Sequence, residues 1–150
     1  MDKLAVTPQF PPMSHEAISL VQELETLSKQ KEQVAIKTYH LIHGGIYSRT
    51  ILIPANVRLT GALIKIPTTL IINGHAFVFV GDSIKEFIGY HVLPASAGRK
   101  QVFITKEDTY LTMQFPTSAK TVEDAEKEFT DETDLLFSHD GENKVVITEE

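Results

Sequence analysis

The spacing of apolar residues changes twice along the chain and divides it into three segments. Near the N-terminus apolar residues recur every three or four positions, which predicts an amphipathic helix over about 15–31 with Ser14 as its N-cap. From 34 to 116, short runs rich in β-branched and aromatic residues alternate with Pro, Gly and Asn, a pattern typical of strands and turns. Beyond Pro116 the spacing is helical again.

These changes predict three parts: an extended lead-in and helix (1–33), a β domain (34–116) and a helical C-terminal segment (117–150). The apolar stripe of the first helix comprises Ala17, Leu20, Val21, Leu24 and Leu27. We expect this stripe to pack on the core of its own chain. A helix-to-helix contact between subunits is the alternative, because a stripe does not identify its partner.

The β segment predicts about seven strands without intervening helices, which favours an antiparallel sandwich or small barrel. Asn73-Gly74 lies between two apolar runs and predicts a two-residue hairpin. Gly44-Gly45 predicts a turn at a strand end. In the run 75–80 both alternating sets of side chains are apolar or aromatic, apart from His75. We therefore expect that strand to be covered on both sides, by the helix or by a second subunit.

Charge is distributed unevenly, although the net charge of −6 is modest. Residues 117–150 contain 3 Lys+Arg and 11 Asp+Glu, a net of −8, whereas the other 116 residues have a net of +2. We therefore expect residues 121–137 to pack as a helix on the barrel or on a neighbouring subunit. Its apolar anchors would be Phe129, Leu135, Leu136 and Phe137. Thr121, three residues before Asp124, predicts the N-cap of this helix.

Composition excludes several classes of function. The chain has no cysteine, so disulfides, thiolate metal sites and a cysteine nucleophile are excluded. No concentrated basic face is visible, and we expect no nucleic-acid partner. No apolar run approaches the roughly 18 residues that span a bilayer, so we expect no membrane partner. Without a signal-peptide pattern, we expect the protein in the cytoplasm of a host cell, with the virion as the alternative.

The order of strands and turns over about 40–115 resembles a cupin-type jelly roll. The chain also resembles small cupin-like proteins of tailed phages. It shares with them Tyr47-x-Arg49, Ile53-Pro54-Ala55 and Leu59-Thr60-Gly61, and the likeness extends into the TDLLFS run, 133–138. The resemblance implies a mainly β, cupin-like barrel and a phage or prophage origin. It implies no activity.

Enzymatic cupins bind a metal through histidines and a glutamate in two motifs. Aligned on Gly74, the first motif would place these ligands at about Thr60 to Leu63 and at Pro67; aligned on Gly98, the second would place a histidine at Gln101. None of these residues is a histidine or an acid, whereas first-row metals in such sites need imidazole and carboxylate ligands. The resemblance therefore supports the barrel without the usual metal, and we expect no cofactor.

Two sets of residues are candidates for a site. Tyr47 and Arg49 share a predicted strand face with Ile51 and Ile53, and Lys65 is expected on the face of Val57, Leu59 and Leu63. A cation on an apolar face needs an anion or extends to the rim. The predicted anion-binding set is Tyr47, Arg49, Lys65, His91 and Arg99. The alternative is a network of ion pairs with Asp82, Glu86 or the acidic segment.

The second set is histidines. His40 and His43 are three residues apart and point to opposite faces if both lie on one strand. On a turn they could converge on a metal with His75 or His91 as a third ligand, an arrangement kept as the weaker alternative. The simpler interpretation is that both histidines lie at a strand end and bond nearby carbonyl groups.

The sequence favours a non-catalytic, phage-type cupin-like protein, accessory or structural, that self-assembles and binds a partner or a small anion. The expected partners are further copies in a dimer or trimer, another phage or host protein, or that anion. The alternative is a metal-dependent cupin-type enzyme (an isomerase, lyase or oxygenase) with non-standard ligands.

Overall fold

The protein is mainly β, as predicted. The computed structural model describes residues 10–29, 33–136, 138 and 141–150, so predictions for the first nine residues, 30–32 and Phe137 lie outside the described residues. No described helix is long and apolar enough to cross a membrane. The elements are α1 (His15–Ser28), β1 (Lys37–His43), β2 (Ile46–Ile53), β3 (Arg58–Thr60), β4 (Thr68–Phe79), β5 (Ile84–Ala95), β6 (Val102–Thr105), β7 (Thr109–Pro116), α2 (Val122–Phe129), a 3₁₀ turn (Thr133–Leu135) and β8 (Asn143–Ile147).

Helix α1 begins where the sequence predicts, because the Ser14 hydroxyl accepts a hydrogen bond from the backbone N–H of Ala17. Ala17 and Val21 are buried and form a small core with Met13 and Val102. The helix thus packs on its own domain, as expected. Other stripe residues do not follow the prediction: Leu20 and Leu27 are 60% and 59% exposed.

The eight strands form one curled sheet in the order β3-β6-β4-β7-β2-β1-β8, with β5 on the other side of β4. Strand β4 organises the sheet because its first half pairs with β7 and its second half with β6. The predicted covering of this strand on both sides is confirmed at its end. There Val78 faces the main core and Phe79 packs against the small core under α1.

The predicted hairpin at Asn73-Gly74 is wrong, since β4 runs straight through both residues. Gly74 lies where β4 changes partner from β7 to β6, and the turn joining those two strands crosses it there. A Cβ at Gly74 would lie 2.7 Å from the Thr109 Cα and 2.8 Å from the Asp108 carbonyl oxygen. The glycine is needed for this close backbone approach, combined with a φ of +153°.

The strands between 34 and 116 all pair antiparallel, as predicted, and β8 of the C-terminal segment makes the sheet mixed. The Gly44-Gly45 turn joins β1 and β2 as expected, with φ values of +61° and +74°. Strand β8 then adds to the free edge of β1 in parallel orientation. The C-terminal segment therefore ends as part of the sheet.

The core fills the inside of the curl, and the C-terminal segment covers one end of it. Helix α2 begins at the predicted cap, where the Thr121 hydroxyl accepts from the Asp124 backbone N–H. Phe129 and Leu136 are buried in the main core, as predicted for two of the four anchors. Leu135 is partly buried.

We predict that Gly74→Ala will destabilise the protein strongly, because the added methyl overlaps backbone atoms that a side-chain rotation cannot move. Overpacking of this kind costs about 1–3 kcal/mol, and the positive φ adds strain. Urea unfolding would measure the loss. Gly61→Ala is the matched control, since its Cβ would meet only the Gln101 carbonyl oxygen at an ordinary 3.6 Å. Equal stability of the two variants would contradict this account.

Candidate functional site

Two of the five residues predicted to bind an anion lie together, on the wall of a cavity inside the curled sheet. Arg49 comes from β2, and Arg99 lies just before β6; both are almost completely buried. Tyr47 is buried deeper, beside Phe115 and Phe129. Neither Lys65 nor His91 is on the cavity wall, so the structure does not bring all five together.

Arg49 is neutralised by the acidic C-terminal segment. Its Nη1 donates to Glu126 Oε2 at 3.0 Å and to Ser138 Oγ at 3.3 Å, and Ser138 Oγ donates to the same carboxylate at 2.7 Å. The guanidinium also lies 5.7 Å from the centre of the Phe129 ring. The alternative interpretation, an ion pair with the acidic segment, is confirmed for Arg49.

Lys65 also pairs with this segment, through Asp131 at 2.7 Å, but on the surface. The expectation that it lies on an apolar strand face is wrong, because β3 ends at Thr60 and the Lys65 side chain is 42% exposed. His91 lies on β5, where its Nε2 donates to the Ile88 carbonyl oxygen at 2.8 Å.

Arg99 differs from Arg49 because it is a buried cation with no acid beside it in the part of the chain that the structure describes. Its Nη1 donates to the Ser96 carbonyl oxygen and its Nη2 to Thr68 Oγ1, both at 2.7 Å. Among the described residues, no carboxylate lies within ion-pair distance, and the buried Nε has no hydrogen-bond partner. Burial lowers the pKa of Arg99 to about 10, so the side chain still carries its charge at neutral pH.

The cavity between the two arginines has a volume of about 90 Å³. Its wall is formed by residues of β2, β3, β4, β6 and β7 and of the C-terminal segment. The apolar part of that wall comprises Ile51, Leu59, Ala62, Ile64, Leu70, Phe103, Leu111, Met113, Phe129, Leu135 and Leu136. Gln101, which is 5% exposed, contributes an amide. The result is a small, mainly apolar chamber in which one guanidinium is not neutralised by any described acid.

Sequence reasoning missed two residues near this chamber. The cupin motif identifies Gln101 only as a position where a histidine would be expected. Lys100 was not singled out, yet its side chain is fully buried and pairs with Glu25 of α1 at 3.2 Å and with Glu132 at 2.9 Å. The available signal was the pair of adjacent cations in GRKQVF, directly before an apolar strand. Polar residues next to such a strand are expected to be drawn into the core and to need partners.

His40 belongs to a buried network that connects β1, β2 and β8. Its Nδ1 lies 2.7 Å from the Tyr47 hydroxyl and its Nε2 lies 2.7 Å from Asn143 Oδ1. Because Asn143 Nδ2 donates to the Ser138 and Gly141 carbonyl oxygens, its Oδ1 is left to accept. We assign the proton of neutral His40 to Nε2 on this basis, with Tyr47 donating to Nδ1. Burial raises the pKa of Tyr47, which keeps its hydroxyl available as a donor.

The other histidines of the weaker metal alternative have separate partners. His43 contacts Thr148 Oγ1 at 2.7 Å, and His75 contacts Glu86 Oε2 at 2.8 Å. No group of three or more His, Cys, Asp or Glu residues suited to a metal occurs in the part of the chain that the structure describes.

The metal that enzymatic cupins bind does not fit this chamber. Its described wall offers two guanidinium groups, one amide and apolar side chains, with no carboxylate or imidazole among them. A divalent cation prefers imidazole and oxygen anions as ligands, and uncompensated guanidinium charge repels it. The chemistry of this wall suits an anion.

The fold is similar to that of several solved cupin structures. A cupin superfamily protein from Desulfitobacterium hafniense DCB-2 matches 61% of this chain and 88% of its own, with 12% identity and a TM-score of 0.45. The Cnp3 cupin domain of Schizosaccharomyces pombe matches over 67% and 72%, with 15% identity and a TM-score of 0.46. The DMSP lyase DddQ from Ruegeria pomeroyi DSS-3 matches over 81% and 83%, with 12% identity and a TM-score of 0.43. These likenesses concern the fold alone. No family model matches the chain, and no curated protein matches it.

We predict that His40 makes stability depend on pH. Burial, followed by the nearby Arg49 charge, lowers the pKa of His40 below 6.5, while hydrogen bonding to Asn143 and the Glu126 and Glu123 charges partly oppose this. The unfolded chain therefore takes up the proton first. The stabilisation is complete above pH 6.5 and is lost as the pH falls through the folded pKa.

Urea unfolding between about pH 7 and 5 would measure this loss. We expect a shallower decline for His40→Gln than for the wild type. His91→Gln, which changes a partly exposed histidine, should keep the wild-type slope. A His40→Gln slope equal to that of the wild type would show that His40 is not the source.

Proposed function

We propose that this protein is a non-catalytic, cupin-like binding protein of the phage accessory type, which holds a small anion inside its barrel and self-assembles through its outer surface. One observation carries the binding function: the Arg99 guanidinium is buried on a cavity wall without an acidic partner among the described residues. An isolated buried charge is costly, by several kcal/mol on typical estimates. An anion in the cavity would offset that cost.

A binding role agrees with how Arg49 on the cavity wall and His40, which bonds to the Tyr47 hydroxyl, are used. Arg49 is held by Glu126, and His40 is held between Tyr47 and Asn143. Each of these contacts joins elements that are distant in sequence. They act as structural links, which leaves Arg99 as the group available for a ligand.

We predict that small anions will stabilise the protein through Arg99. Thermal unfolding in acetate or phosphate, compared with chloride at equal ionic strength, should show a higher Tm for the wild type. A ligand at ten times its Kd adds about 1.4 kcal/mol. Arg99→Met should lose this response. Arg58→Met is the matched control, because this substitution removes the same charge from an exposed position. An equal response in wild type and Arg99→Met would refute the assignment.

Self-assembly is supported by an apolar outer face on β5. Strand β5 pairs with β4 along one edge, and Phe10 bridges to Ala95 at the end of the other edge. Among the described residues, the rest of that edge pairs with no strand. Ile84, Ile88, Tyr90 and Val92 on it are between 55% and 65% exposed. A free strand edge beside exposed apolar side chains is a usual place for another chain to pair.

We predict a dimer or trimer in light scattering at micromolar concentration. Ile88→Asp should shift the protein toward monomer with its fold retained, because the side chain is 63% exposed. Leu20→Asp places the same charge on the exposed side of α1. It tests the alternative in which the subunits meet through their helices. If Leu20→Asp dissociates the protein and Ile88→Asp does not, the interface is on the helix. A monomeric wild type would exclude self-assembly.

A further inference from the structure

We infer that the ligand of the interior cavity is a short-chain monocarboxylate, with its carboxylate at Arg99 and its alkyl tail among the apolar side chains. This inference rests on the proposed function, namely that the cavity binds a small anion. It adds the charge, the shape and the size of that anion, and each of the three follows from a different feature of the wall.

The charge follows from how the two arginines are paired. Glu126 already neutralises Arg49 at 3.0 Å, whereas Arg99 has no acid within ion-pair distance among the described residues. Counting the described residues, the chamber therefore carries one positive charge in excess. A monoanion balances it, while a dianion would leave a negative charge in a poorly solvated place.

The head group follows from the donors that remain. Two Arg99 nitrogens are used by Ser96 and Thr68, and the buried Nε is left without a partner. Gln101 adds a side-chain amide on the same wall. A planar carboxylate has two oxygens and matches a guanidinium edge well. In the proposed complex, Arg99 and Gln101 would each donate to one carboxylate oxygen.

The alkyl tail of the ligand is inferred from the side chains that line the cavity and from the volume of the cavity. Most side chains on the wall are aliphatic, among them Ile51, Leu59, Leu70 and Leu111. Phosphate or sulfate would leave this surface without contacts, whereas each methylene placed against it should tighten binding roughly fourfold. The volume is about 90 Å³. This lies between the roughly 30 Å³ of one water molecule and the roughly 150 Å³ of a cavity that binds benzene. Acids from acetate to butyrate fit that range.

The experiment is a calorimetric titration of the full chain with acetate, propionate, butyrate, hexanoate and inorganic phosphate, at constant ionic strength in chloride. We expect affinity to rise roughly fourfold per methylene up to butyrate and to fall at hexanoate. Phosphate should bind at least tenfold more weakly than butyrate. Arg99→Met should weaken butyrate binding at least tenfold, and Arg58→Met should leave it unchanged.

A second variant keeps the test decisive if Arg99→Met does not fold. Leu111 is only partly buried and lines the cavity, so Leu111→Ala should enlarge the chamber with the fold retained. We expect the optimum to move from butyrate toward hexanoate. A residue with a purely structural role would not change the preferred chain length.

The outcomes separate the two proposals. If phosphate binds as tightly as butyrate, and both need Arg99, the monocarboxylate is wrong while anion binding stands. If affinity does not depend on chain length in either wild type or Leu111→Ala, the tail assignment is likewise overturned. If no anion binds in an Arg99-dependent way, both the inference and the proposed binding function fail.

Discussion

Three buried cations, and the number of acids available to them, organise this structure. Arg49, Arg99 and Lys100 each have side chains almost completely removed from water. A buried charge requires a partner, and the acidic C-terminal segment supplies Glu126 to Arg49 and Glu132 to Lys100. This explains why a basic barrel and a strongly acidic segment belong to one chain. It also makes Arg99 stand out, because the segment does not reach it with an acid among the described residues.

The two paired cations, Arg49 and Lys100, connect elements that are distant in the sequence. Lys100 bonds to Glu25 of α1 as well as to Glu132, so the first helix and the C-terminal segment meet at one ammonium group. Glu132 in turn accepts from the Leu63 backbone N–H at 2.6 Å. The pair of Arg49 and Glu126 attaches α2 to β2. Removing one member of such a pair would leave the other buried and unpaired, which costs about 3–5 kcal/mol.

The sheet supplies the chamber through the double pairing of β4. The first half of β4 pairs with β7 and its second half with β6, so these two strands follow one another along one edge of β4 in the curled sheet. The chamber lies inside that curl, with Leu70 from β4, Phe103 from β6 and Met113 from β7 on its wall. Gly74 permits the crossing turn at the branch point. The strands that meet near Gly74, namely β4, β6 and β7, are thus also strands that line the cavity.

Local signals in the sequence determined much of this. Neighbouring residues are enough to predict the helix caps at Ser14 and Thr121, the Gly44-Gly45 turn and the burial of alternate residues in β2. The charge asymmetry between the two parts of the chain predicts that they attract, but not which residues pair. Asn73-Gly74 shows the limit. The same two residues favour a hairpin locally, but the β6–β7 turn, more than thirty residues away, needs that glycine for its approach. Pairings such as Arg49 with Glu126, separated by 77 positions, leave no periodic trace in the sequence. Only the tertiary structure decided which cation acquired an acid and which did not, because burial and partner are set by how distant segments pack.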